Sequence, residues 1–444
     1  MIARPGPRLP PDEVARRVAE GAEPIWLSSP GAPGTEAERA SIAFDVFAAD
    51  PGRVVRGRSV DELEAAWRDA RGRWAMGVGA PPALPVGVGW LTYDLARAWL
   101  PLPSQAADDH GWAALEFRFF DAICVREVAT GTSRILACDE GAADRLAALM
   151  DRPAARRAPP AVGALAAETD RASHEASVER IKRYLHAGDA YQVNLARRLS
   201  ATVAAGDPLW LAASLRAQAP AAHAIWLGAR AAPGAALYRY VVGNSPERFL
   251  SVDPSGRVET RPIKGTRPRH EEPARDQALR AELVAARKDR AEHVMIVDLE
   301  RNDLGRVCET GSVVVEELMR VVSLPTVFHL VSTVRGQLRR GIGLVELLRA
   351  TFPGGSVTGA PKRRAMEIIE EIEPVRRGIY TGATGWLGAA GDLDLAVAIR
   401  TATVAAGRLS LSVGGGIIAD SDPAAEWEET EVKARAFRSA LGAA

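Results

Sequence analysis

The chain has 444 residues, of which 47% are hydrophobic, enough for one large domain or about two to three ordinary ones. Its 56 basic and 56 acidic residues give a formal net charge of zero. This balance gives no reason to expect a nucleic acid or a membrane surface as a partner. We therefore expect a folded globular protein that binds a small molecule or another protein.

The cysteines and the N-terminus indicate the compartment. Cys124, Cys138 and Cys308 lie far apart in the sequence and show no CxxC spacing, which is typical of packed thiols in a reducing compartment. The first residues, MIARPGPRLPPDEVARR, lack the apolar core of a secretory signal, and no apolar run approaches the roughly 18 residues that a membrane helix needs. The sequence predicts a cytoplasmic protein.

The first third of the chain has the composition of strands separated by loops. Residues 83–100 and 112–128 are rich in β-branched and aromatic residues, with Gly, Pro and Asp in the intervening segment. Residues 151–170 crowd Pro and Ala together and break the apolar periodicity, which indicates a linker or a surface excursion.

Helical and strand patterns then alternate. Residues 173–189 have helical spacing and end near Gly188, a plausible C-cap, whereas residues 190–203 alternate as a strand does. The pattern predicts one long amphipathic helix over 274–305. Residues 311–338 indicate strands joined by a turn at Pro325.

A glycine-rich segment, FPGGSVTGAPKRRAMEIIEEIEP, spans residues 352–374. Gly354 and Gly359 have the separation of a nucleotide-binding P-loop, but Ala360 and Pro361 stand where that loop needs Lys and Ser or Thr. The segment instead indicates a glycine loop that opens a helix, whose free N–H groups favour an anion such as a carboxylate. A plain tight turn is the commoner explanation of such a segment.

A second acidic segment lies near the C-terminus. Glu426, Glu429 and Lys433 are spaced three and four residues apart, so a helix would place them on one face. A solvated ion-pair face is the commoner explanation. The alternative is a Mg²⁺ site, to which Asp289 and Glu292 of another acidic segment would contribute.

Nine ordered strings carry a resemblance to a known family: GDAYQVNLARRL, GNSPERFL, RPIKGTRPR, AEHVMIVDLERNDLGRV, VFHLVSTVRG, FPGGSVTGAPKRRAMEIIEEIEP, RRGIYTGATGW, AIRTATV and GGGIIADSDPAAEWEETEVKA. The chain resembles the chorismate-binding enzymes, which include anthranilate synthase component I, aminodeoxychorismate synthase component I and the isochorismate and salicylate synthases. The resemblance is close to continuous from about Ser173 to Leu441 and looser before that.

The resemblance implies an α/β (α+β) fold, a large sandwich of two facing antiparallel sheets with outer helices. Residues 1–165 would be the variable N-terminal portion, with a possible regulatory pocket, and residues 166–444 the chorismate-binding catalytic region. It also implies three sets of site residues. The catalytic set is Lys264, Glu247 and His329; the substrate-binding set is Thr266, Thr358, Tyr380, Arg400, Gly415, Gly416, Lys433 and Gln192; the Mg²⁺ ligands are Glu292, Glu429 and Glu426.

Two positions distinguish the reactions within the family. Members that add water to chorismate generally carry a lysine base where this chain has Gln192, and an amide cannot act as a base at neutral pH. The anthranilate synthases place alanine where this chain has Lys264, whereas the aminodeoxychorismate synthases place lysine there. The resemblance therefore implies synthesis of 4-amino-4-deoxychorismate from chorismate and ammonia, a step toward 4-aminobenzoate and folate.

In the implied mechanism Glu247 protonates the departing 4-hydroxyl, the amine of Lys264 adds at C2, and ammonia attacks C4. Nearby cations such as Arg267 and Arg269 would favour the neutral amine. No GxCxG glutaminase motif is present, so a separate glutamine amidotransferase subunit is the implied source of ammonia. Two alternatives stay open: an anthranilate synthase component I, and a non-catalytic chorismate-binding regulatory homologue.

Overall fold

The computed structural model describes residues 1–28, 44–74, 84–230, 238–324 and 327–442, and its strands form two large sheets. The strands are β1 (Ile2–Pro5), β2 (Ile25–Ser28), β3 (Phe44–Ala48), β4 (Arg53–Gly57), β5 (Pro85–Leu91), β6 (Leu115–Phe119), β7 (Ala122–Glu127), β8 (Ser133–Ala137), β9 (Ala166–Ala167), β10 (Gln192–Thr202), β11 (His223–Arg230), β12 (Tyr238–Ser245), β13 (Arg248–Val252), β14 (Arg257–Arg261), β15 (Ile263–Pro268), β16 (Val314–Ser323), β17 (Val327–Gln337), β18 (Gly359–Ala360), β19 (Ala383–Gly388), β20 (Leu393–Val397), β21 (Thr401–Ala405) and β22 (Arg408–Ile417).

Helices cover the sheets. They are α1 (Pro11–Val18), α2 (Val60–Arg73), α3 (Glu140–Asp151), α4 (Arg171–His186), α5 (Trp210–Gln218), α6 (Pro273–Ala285), α7 (Arg287–Gly305), α8 (Leu344–Thr351), α9 (Lys362–Ile372) and α10 (Pro423–Ala440), with short 3₁₀ turns at Tyr93–Ala98 and Gly355–Val357. None of the helices in the described ranges is long and apolar enough to cross a membrane.

The strand orders show how the two ends of the chain combine. One sheet runs β1-β8-β7-β3-β2-β11-β12-β21-β22-β10-β18, with β9 beside β10, and the other runs β15-β17-β14-β13-β20-β19-β5-β6-β4, with β16 beside β17. Neighbouring strands pair antiparallel. Each sheet contains strands from both sides of residue 165, so the two portions of the chain share both sheets.

The main core lies between the sheets. On β2, Ile25 and Leu27 belong to this core, whereas Trp26 between them joins a second core that α1 and α3 also line. Alternate residues of a strand point to opposite faces of its sheet. A strand that has the other sheet on one face and helices on the other therefore carries apolar residues on both faces. This arrangement confirms the predicted sandwich of two antiparallel sheets with outer helices.

The long helix predicted over 274–305 is wrong, because two helices, α6 and α7, occupy that segment. Ala286 between them has φ −65° and ψ 99°, outside the helical region. The two helices pack on different cores: Leu283 of α6 clusters with Phe328 and Leu330, whereas Val297 of α7 joins the core between the sheets. The chain must therefore bend at Ala286 so that each helix can reach its own core.

Several other element predictions are confirmed. The helix predicted over 173–189 is α4, followed by Gly188 in the left-handed region at φ +83°. The strand predicted over 190–203 is β10. The segment predicted over 151–170 is not a spacer between separate units: Leu165 is buried, Val162 bridges to Val203, and β9 pairs with β10. The turn predicted at Pro325 lies outside the described residues.

Candidate active site

Glu247 lies in the short turn between β12 and β13, where only 5% of its surface is exposed. Burial raises the pKa of the Glu247 carboxyl above its usual value, although the Ser356 hydroxyl, the charge of Lys264 and the Ile263 backbone N–H oppose the shift. A carboxyl group that keeps its proton at higher pH can donate that proton, so Glu247 suits a general acid.

Lys264 lies on β15, opposite Leu330 of β17, immediately before a break in the strand register. Gly265 occupies that break at φ +77°, a conformation that glycine adopts without the strain a side chain would cause. The Lys264 charge acts on the carboxyl groups of Glu247, Glu292 and Glu429. Within the described residues none of these carboxylates ion-pairs with Lys264, so the ammonium is not fixed to one partner.

The structure does not support the prediction that Arg267 and Arg269 favour the neutral amine of Lys264. Arg267 donates to Glu282 at 2.7 Å and to Asp289 at 3.3 Å. Arg269 pairs with Asp276 at 2.9 Å. Carboxylates therefore balance both positive charges, and Gly265 is the local feature that shapes the Lys264 backbone.

Two consecutive glycines of β22, Gly415 and Gly416, lie between Lys264 and the acidic residues. A Cβ atom on Gly416 would lie 2.5 Å from Nε2 of Gln192 and 3.2 Å from Nζ of Lys264. A Cβ atom on Gly415 would lie 3.1 Å from a carboxylate oxygen of Glu426. Successive residues of a strand point to opposite faces, so this glycine pair has the lysine and the amide on one side and the carboxylates on the other.

The carboxylates belong to α7 and α10. Glu426 is buried, accepts a hydrogen bond from the Ser421 hydroxyl at 2.6 Å and lies 3.5 Å from Nζ of Lys288. Glu429 ion-pairs at 2.6 Å with Lys433, which also donates to the backbone oxygen of Gly414 at 2.7 Å. The predicted helical face of Glu426, Glu429 and Lys433 is confirmed, and it faces the glycine strand rather than solvent alone.

Electrostatics connect the two helices. Burial, reinforced by Asp289 and Glu426, raises the pKa of Glu292. Burial, reinforced by Glu429, also raises the pKa of Glu426, whereas the Lys433 ammonium lowers the pKa of Glu429. A cation would relieve the repulsion among these carboxylates, and their oxygens suit a hard cation. No three His, Cys, Asp or Glu side chains in the described part of the chain are grouped closely enough to hold a metal ion.

A polar pair lies beside Lys264. His329 of β17 is 2% exposed, and its Nδ1 lies 2.9 Å from the hydroxyl of Thr266 on β15. Burial, with a contribution from Arg400, lowers the pKa of His329 to about 4. The imidazole is therefore neutral near pH 7, and its Nε2 has no partner among the described residues. It can offer a hydrogen bond to a ligand.

Arg400 follows β20 in the left-handed region, at φ +48°. Its backbone oxygen accepts a hydrogen bond from Asn244 at 2.9 Å, which ties this unusual conformation to β12. Burial lowers the pKa of Arg400, and the Glu247 charge opposes that shift. No carboxylate of the described ranges ion-pairs with this guanidinium, so it is available for a bound carboxylate.

Gln192 and Asn194 project from alternate positions of β10. Gln192 is fully buried, yet both atoms of its amide lack a partner in the described part of the chain, and so does Oδ1 of Asn194. A buried unsatisfied polar group costs about 1–3 kcal/mol, so such groups indicate a site that a polar ligand completes. Asn194 was not among the site residues predicted from the sequence, although its two-residue spacing from Gln192 on a predicted strand is a signal for it.

Thr358 and Tyr380 flank this strand. The Thr358 hydroxyl donates to the backbone oxygen of Gly354 at 3.0 Å, so it stabilises the glycine loop. Tyr380 is buried, and its hydroxyl would lie 3.0 Å from a Cβ atom on Gly414. Burial raises the pKa of Tyr380, so the phenol stays protonated and can donate a hydrogen bond.

A buried arginine outside the predicted site set, Arg377, supports these residues. Arg377 ion-pairs with Glu373 at 2.7 Å, donates to the backbone oxygen of Asn194 at 2.8 Å and lies 5.9 Å from the ring centroid of Tyr380. Its only sequence signal is its place in the RRGIYTGATGW string. It ties β10 to the segment that precedes β19.

Comparison with known proteins decides the family. The family model described as "chorismate binding enzyme" matches residues 24–439. The chain belongs to the chorismate-binding enzymes. This membership confirms the resemblance found in the sequence.

The relatives carry two different names. Anthranilate synthase component 1 of Streptomyces coelicolor is 43% identical over 386 residues, with 82% of this chain and 74% of that protein covered. Aminodeoxychorismate synthase component 1 of Klebsiella aerogenes is 42% identical over 358 residues, with 79% of this chain and 75% of that protein covered. Identity alone therefore does not separate the two activities.

Solved structures agree on the fold. Anthranilate synthase component I from Streptococcus pneumoniae superposes with a TM-score of 0.75 at 28% identity, covering 90% of this chain and 92% of that one. The menaquinone-specific isochorismate synthase of Escherichia coli gives a TM-score of 0.76 at 18% identity, covering 99% of this chain and 94% of that one.

Proposed function

We propose that the chain is an aminodeoxychorismate synthase component I, which converts chorismate and ammonia to 4-amino-4-deoxychorismate. The observation that carries this proposal is the position of Lys264. Its amine lies beside Gly416 and Gln192, and its charge acts on Glu247, Glu292 and Glu429. An amine among these acidic groups, without a fixed ion-pair partner in the described residues, suits a nucleophile.

Each proposed step uses a group with suitable properties. Glu247 gives its proton to the 4-hydroxyl, so that the C4–O bond breaks and water leaves. The neutral amine of Lys264 forms a bond with C2 of the ring. Ammonia then attacks C4 and the C2–N bond breaks, which returns the electron pair to the lysine.

Substrate binding uses the other polar groups. Chorismate carries two carboxylates, and Arg400, Lys433, the Tyr380 hydroxyl and the backbone of Gly415 and Gly416 are the groups suited to hold them. Neutral His329 with Thr266, and the unpartnered amides on β10, would meet the remaining polar atoms of the substrate.

Mg²⁺ is the proposed cofactor, and Glu292, Glu426 and Glu429 are its proposed ligands; they would have to converge on the ion, because no three such side chains of the described residues are grouped closely enough to hold a metal in this structure. When bound, the ion would fix a substrate carboxylate and offset its charge. Its support here is the mutual repulsion of these carboxylates, which a cation would relieve.

We propose that a separate glutamine amidotransferase subunit supplies the ammonia. Cys124, Cys138 and Cys308 are free, and burial raises their pKa values to about 12, 12 and 11. A cysteine nucleophile needs a lowered pKa and access to the substrate. These thiols therefore do not suit glutamine hydrolysis.

The second candidate is an anthranilate synthase component I, which the 43% identity to the Streptomyces coelicolor protein favours. The test incubates the purified chain with chorismate, Mg²⁺ and ammonium at alkaline pH and identifies the product by mass spectrometry. 4-Amino-4-deoxychorismate supports the proposal and anthranilate supports the alternative. The absence of any product under these conditions would favour a non-catalytic regulatory homologue.

A further inference from the structure

A buried arginine on β10, Arg197, holds the last helix, α10, against its sheet. The Cζ atom of Arg197 lies 3.8 Å from the ring centroid of Trp427, and its Nε donates to the Thr430 hydroxyl at 2.7 Å. The guanidinium also ion-pairs with Glu431, and the arginine side chain is fully buried. Together these three contacts form the Arg197 clamp. Neither the predicted site set nor the proposed mechanism gives Arg197 a role.

Trp427 also packs against His174 of α4. Their ring centroids are 5.6 Å apart at an interplanar angle of 66°, and only 2% of His174 is exposed. Burial, with a contribution from Arg197, lowers the pKa of His174 to about 4, so near pH 7 the imidazole adds no positive charge beside the guanidinium. A cation over an indole is attracted to the face of the ring, and more strongly away from water. The indole therefore links β10, α4 and α10.

Strand register places the clamp beside the glycine pair of β22. Arg197 pairs with Val413, two positions before Gly415. Paired residues and residues two apart share a face of the sheet, so Arg197 lies on the same face as Gly415, about 7 Å further along. Helix α10 covers both points, because carboxylate oxygens of Glu426 and Glu429 lie 3.1 and 3.4 Å from a Cβ atom built on Gly415.

One helix therefore carries two neighbouring stripes of side chains. Trp427 and Glu431, one turn apart, belong to the clamped stripe. The stripe beside it faces the glycine strand and consists of Glu426, Glu429 and Lys433. A rotation of the helix that loosens the first stripe must displace the second. Because a helix with its side chains has a radius of about 5–6 Å, a rotation of about 10° moves a carboxylate by about 1 Å.

We propose that Arg197 is a positioning residue, because its clamp sets the rotation of α10 and thereby places Glu429 and Lys433 for a cation and a substrate carboxylate. This inference rests on the proposed function, in which those two side chains bind Mg²⁺ and chorismate. Lys264 approaches Gly416, whose side faces away from that of Gly415. The clamp therefore acts on the binding groups of α10 rather than on the proposed nucleophile.

Calorimetric titrations of the whole chain with Mg²⁺ and with chorismate, each alone, test the clamp without turnover. Arg197→Met removes the guanidinium but keeps an unbranched side chain against Trp427, and Glu431 keeps Arg438 as a partner at 3.2 Å. The variant should raise both dissociation constants by a factor on the order of 10 to 100, the usual effect of removing a group that orients metal ligands.

Substitutions of Trp427 separate the clamp from the fold. Trp427→Leu removes the aromatic face and should raise both dissociation constants as Arg197→Met does. The double variant should be no weaker than either single variant, because each change removes the same contact. Trp427→Phe keeps an aromatic face for the guanidinium and should bind both ligands nearly as the wild type does. The two Trp427 variants also carry the comparison if Arg197→Met does not fold.

Arg198→Met is the matched control. Arg198 is the next residue of β10, points to the opposite face and ion-pairs with Asp109 and Glu168 rather than with α10. Its replacement also removes a largely buried ion-paired arginine, so it should lower the free energy of unfolding in urea. Both of its dissociation constants should nevertheless equal those of the wild type.

Dissociation constants of Arg197→Met and Trp427→Leu that equal the wild-type values would overturn the inference. So would an equal rise in Arg198→Met, because a merely structural role does not distinguish the two arginines. A wild type that binds neither ligand would overturn it as well, since α10 would have nothing to place. The two proposals can fail separately. A product other than 4-amino-4-deoxychorismate removes the proposed function while the affinities still report the clamp, and unchanged affinities remove the clamp whatever the product is.

Discussion

Gln192 on β10 and Gly416 on β22 lie so close that a Cβ atom on Gly416 would be 2.5 Å from the amide nitrogen of Gln192. Non-bonded heavy atoms pack best at about 3.5–4.0 Å. The same added carbon would lie 3.2 Å from Nζ of Lys264. Because glycine has only a hydrogen atom in place of a side chain, position 416 leaves room for both the Gln192 amide and the Lys264 amine.

Gly416→Ala should displace both groups and lower kcat/KM on the order of 100-fold, since misplacement by about 1 Å can cost that much. Steady-state kinetics measure the loss, and thermal unfolding verifies that the fold survives. Gly72→Ala on α2 is the matched control, because a Cβ atom there meets nothing within 4 Å. Wild-type kinetics of Gly416→Ala would show that this close approach has no role.

Lys264→Ala should abolish a covalent adduct. Chorismate supplied without ammonia should accumulate on the wild type as an adduct that has lost one water, visible by intact-protein mass spectrometry. The variant should still bind chorismate through Arg400 and Tyr380, so the loss should appear in kcat rather than in affinity. Lys182→Ala, which removes a lysine paired with Glu179 on α4, is the control. An adduct that maps to another residue would refute the nucleophile.

The dependence of activity on Mg²⁺ should reside in Glu292 on α7 and Glu429 on α10. Glu429→Gln and Glu292→Gln should each abolish activity at limiting Mg²⁺ with the fold intact, because a neutral amide binds a dication less well than a carboxylate does. Glu428→Gln, one position earlier on the same helix and paired with Arg171, is the control and should behave like the wild type. Undiminished turnover of the first two variants would remove them from the metal site.

The nitrogen source should depend on the partner. The isolated chain should use ammonium but not glutamine, because its three cysteines are thiols whose raised pKa values do not suit a glutaminase. Adding an amidotransferase subunit should confer glutamine use. Efficient glutamine-dependent synthesis by the chain alone would contradict this prediction.

The sequence predicted the parts of the fold that depend on local periodicity. Helix α4 and strand β10 follow directly from the spacing of their apolar residues. The break at Ala286 was not predicted, since amphipathic spacing continues through 274–305 while the two helices pack on separate cores. Periodicity shows that a face is apolar but not which core it meets.

The site residues divide in the same way, into those that local sequence motifs predicted and those that they did not. Lys264, Glu247 and Glu429 were predicted from motifs, whereas Asn194 and Arg377 depend on partners distant in sequence. The Arg377 side chain contacts the backbone of Asn194, 183 positions earlier. Such pairs depend on strand register and helix packing, which a single sequence does not specify.

A final prediction concerns stability and lies away from the proposed chemistry. Glu259 on β14 is 7% exposed and accepts hydrogen bonds of 2.7 Å from Arg248 and from Arg335. Burial opposes ionisation of this carboxyl, but Arg261, Arg248 and Arg335 outweigh it and lower the pKa of Glu259 to about 2.

The sign of the effect follows from this lowered pKa. The stability that Glu259 contributes is fully present above its ordinary pKa of 4.5 and is lost as pH falls through about 2. Glu259→Gln should therefore destabilise the protein most at pH 7, by on the order of 3 kcal/mol, and the difference from the wild type should narrow below pH 4.5. Urea unfolding at pH 7, 5 and 4 measures the difference, with Glu309→Gln as the exposed control. A difference that stays constant or widens toward acid would show that the arginines do not stabilise an ionised Glu259.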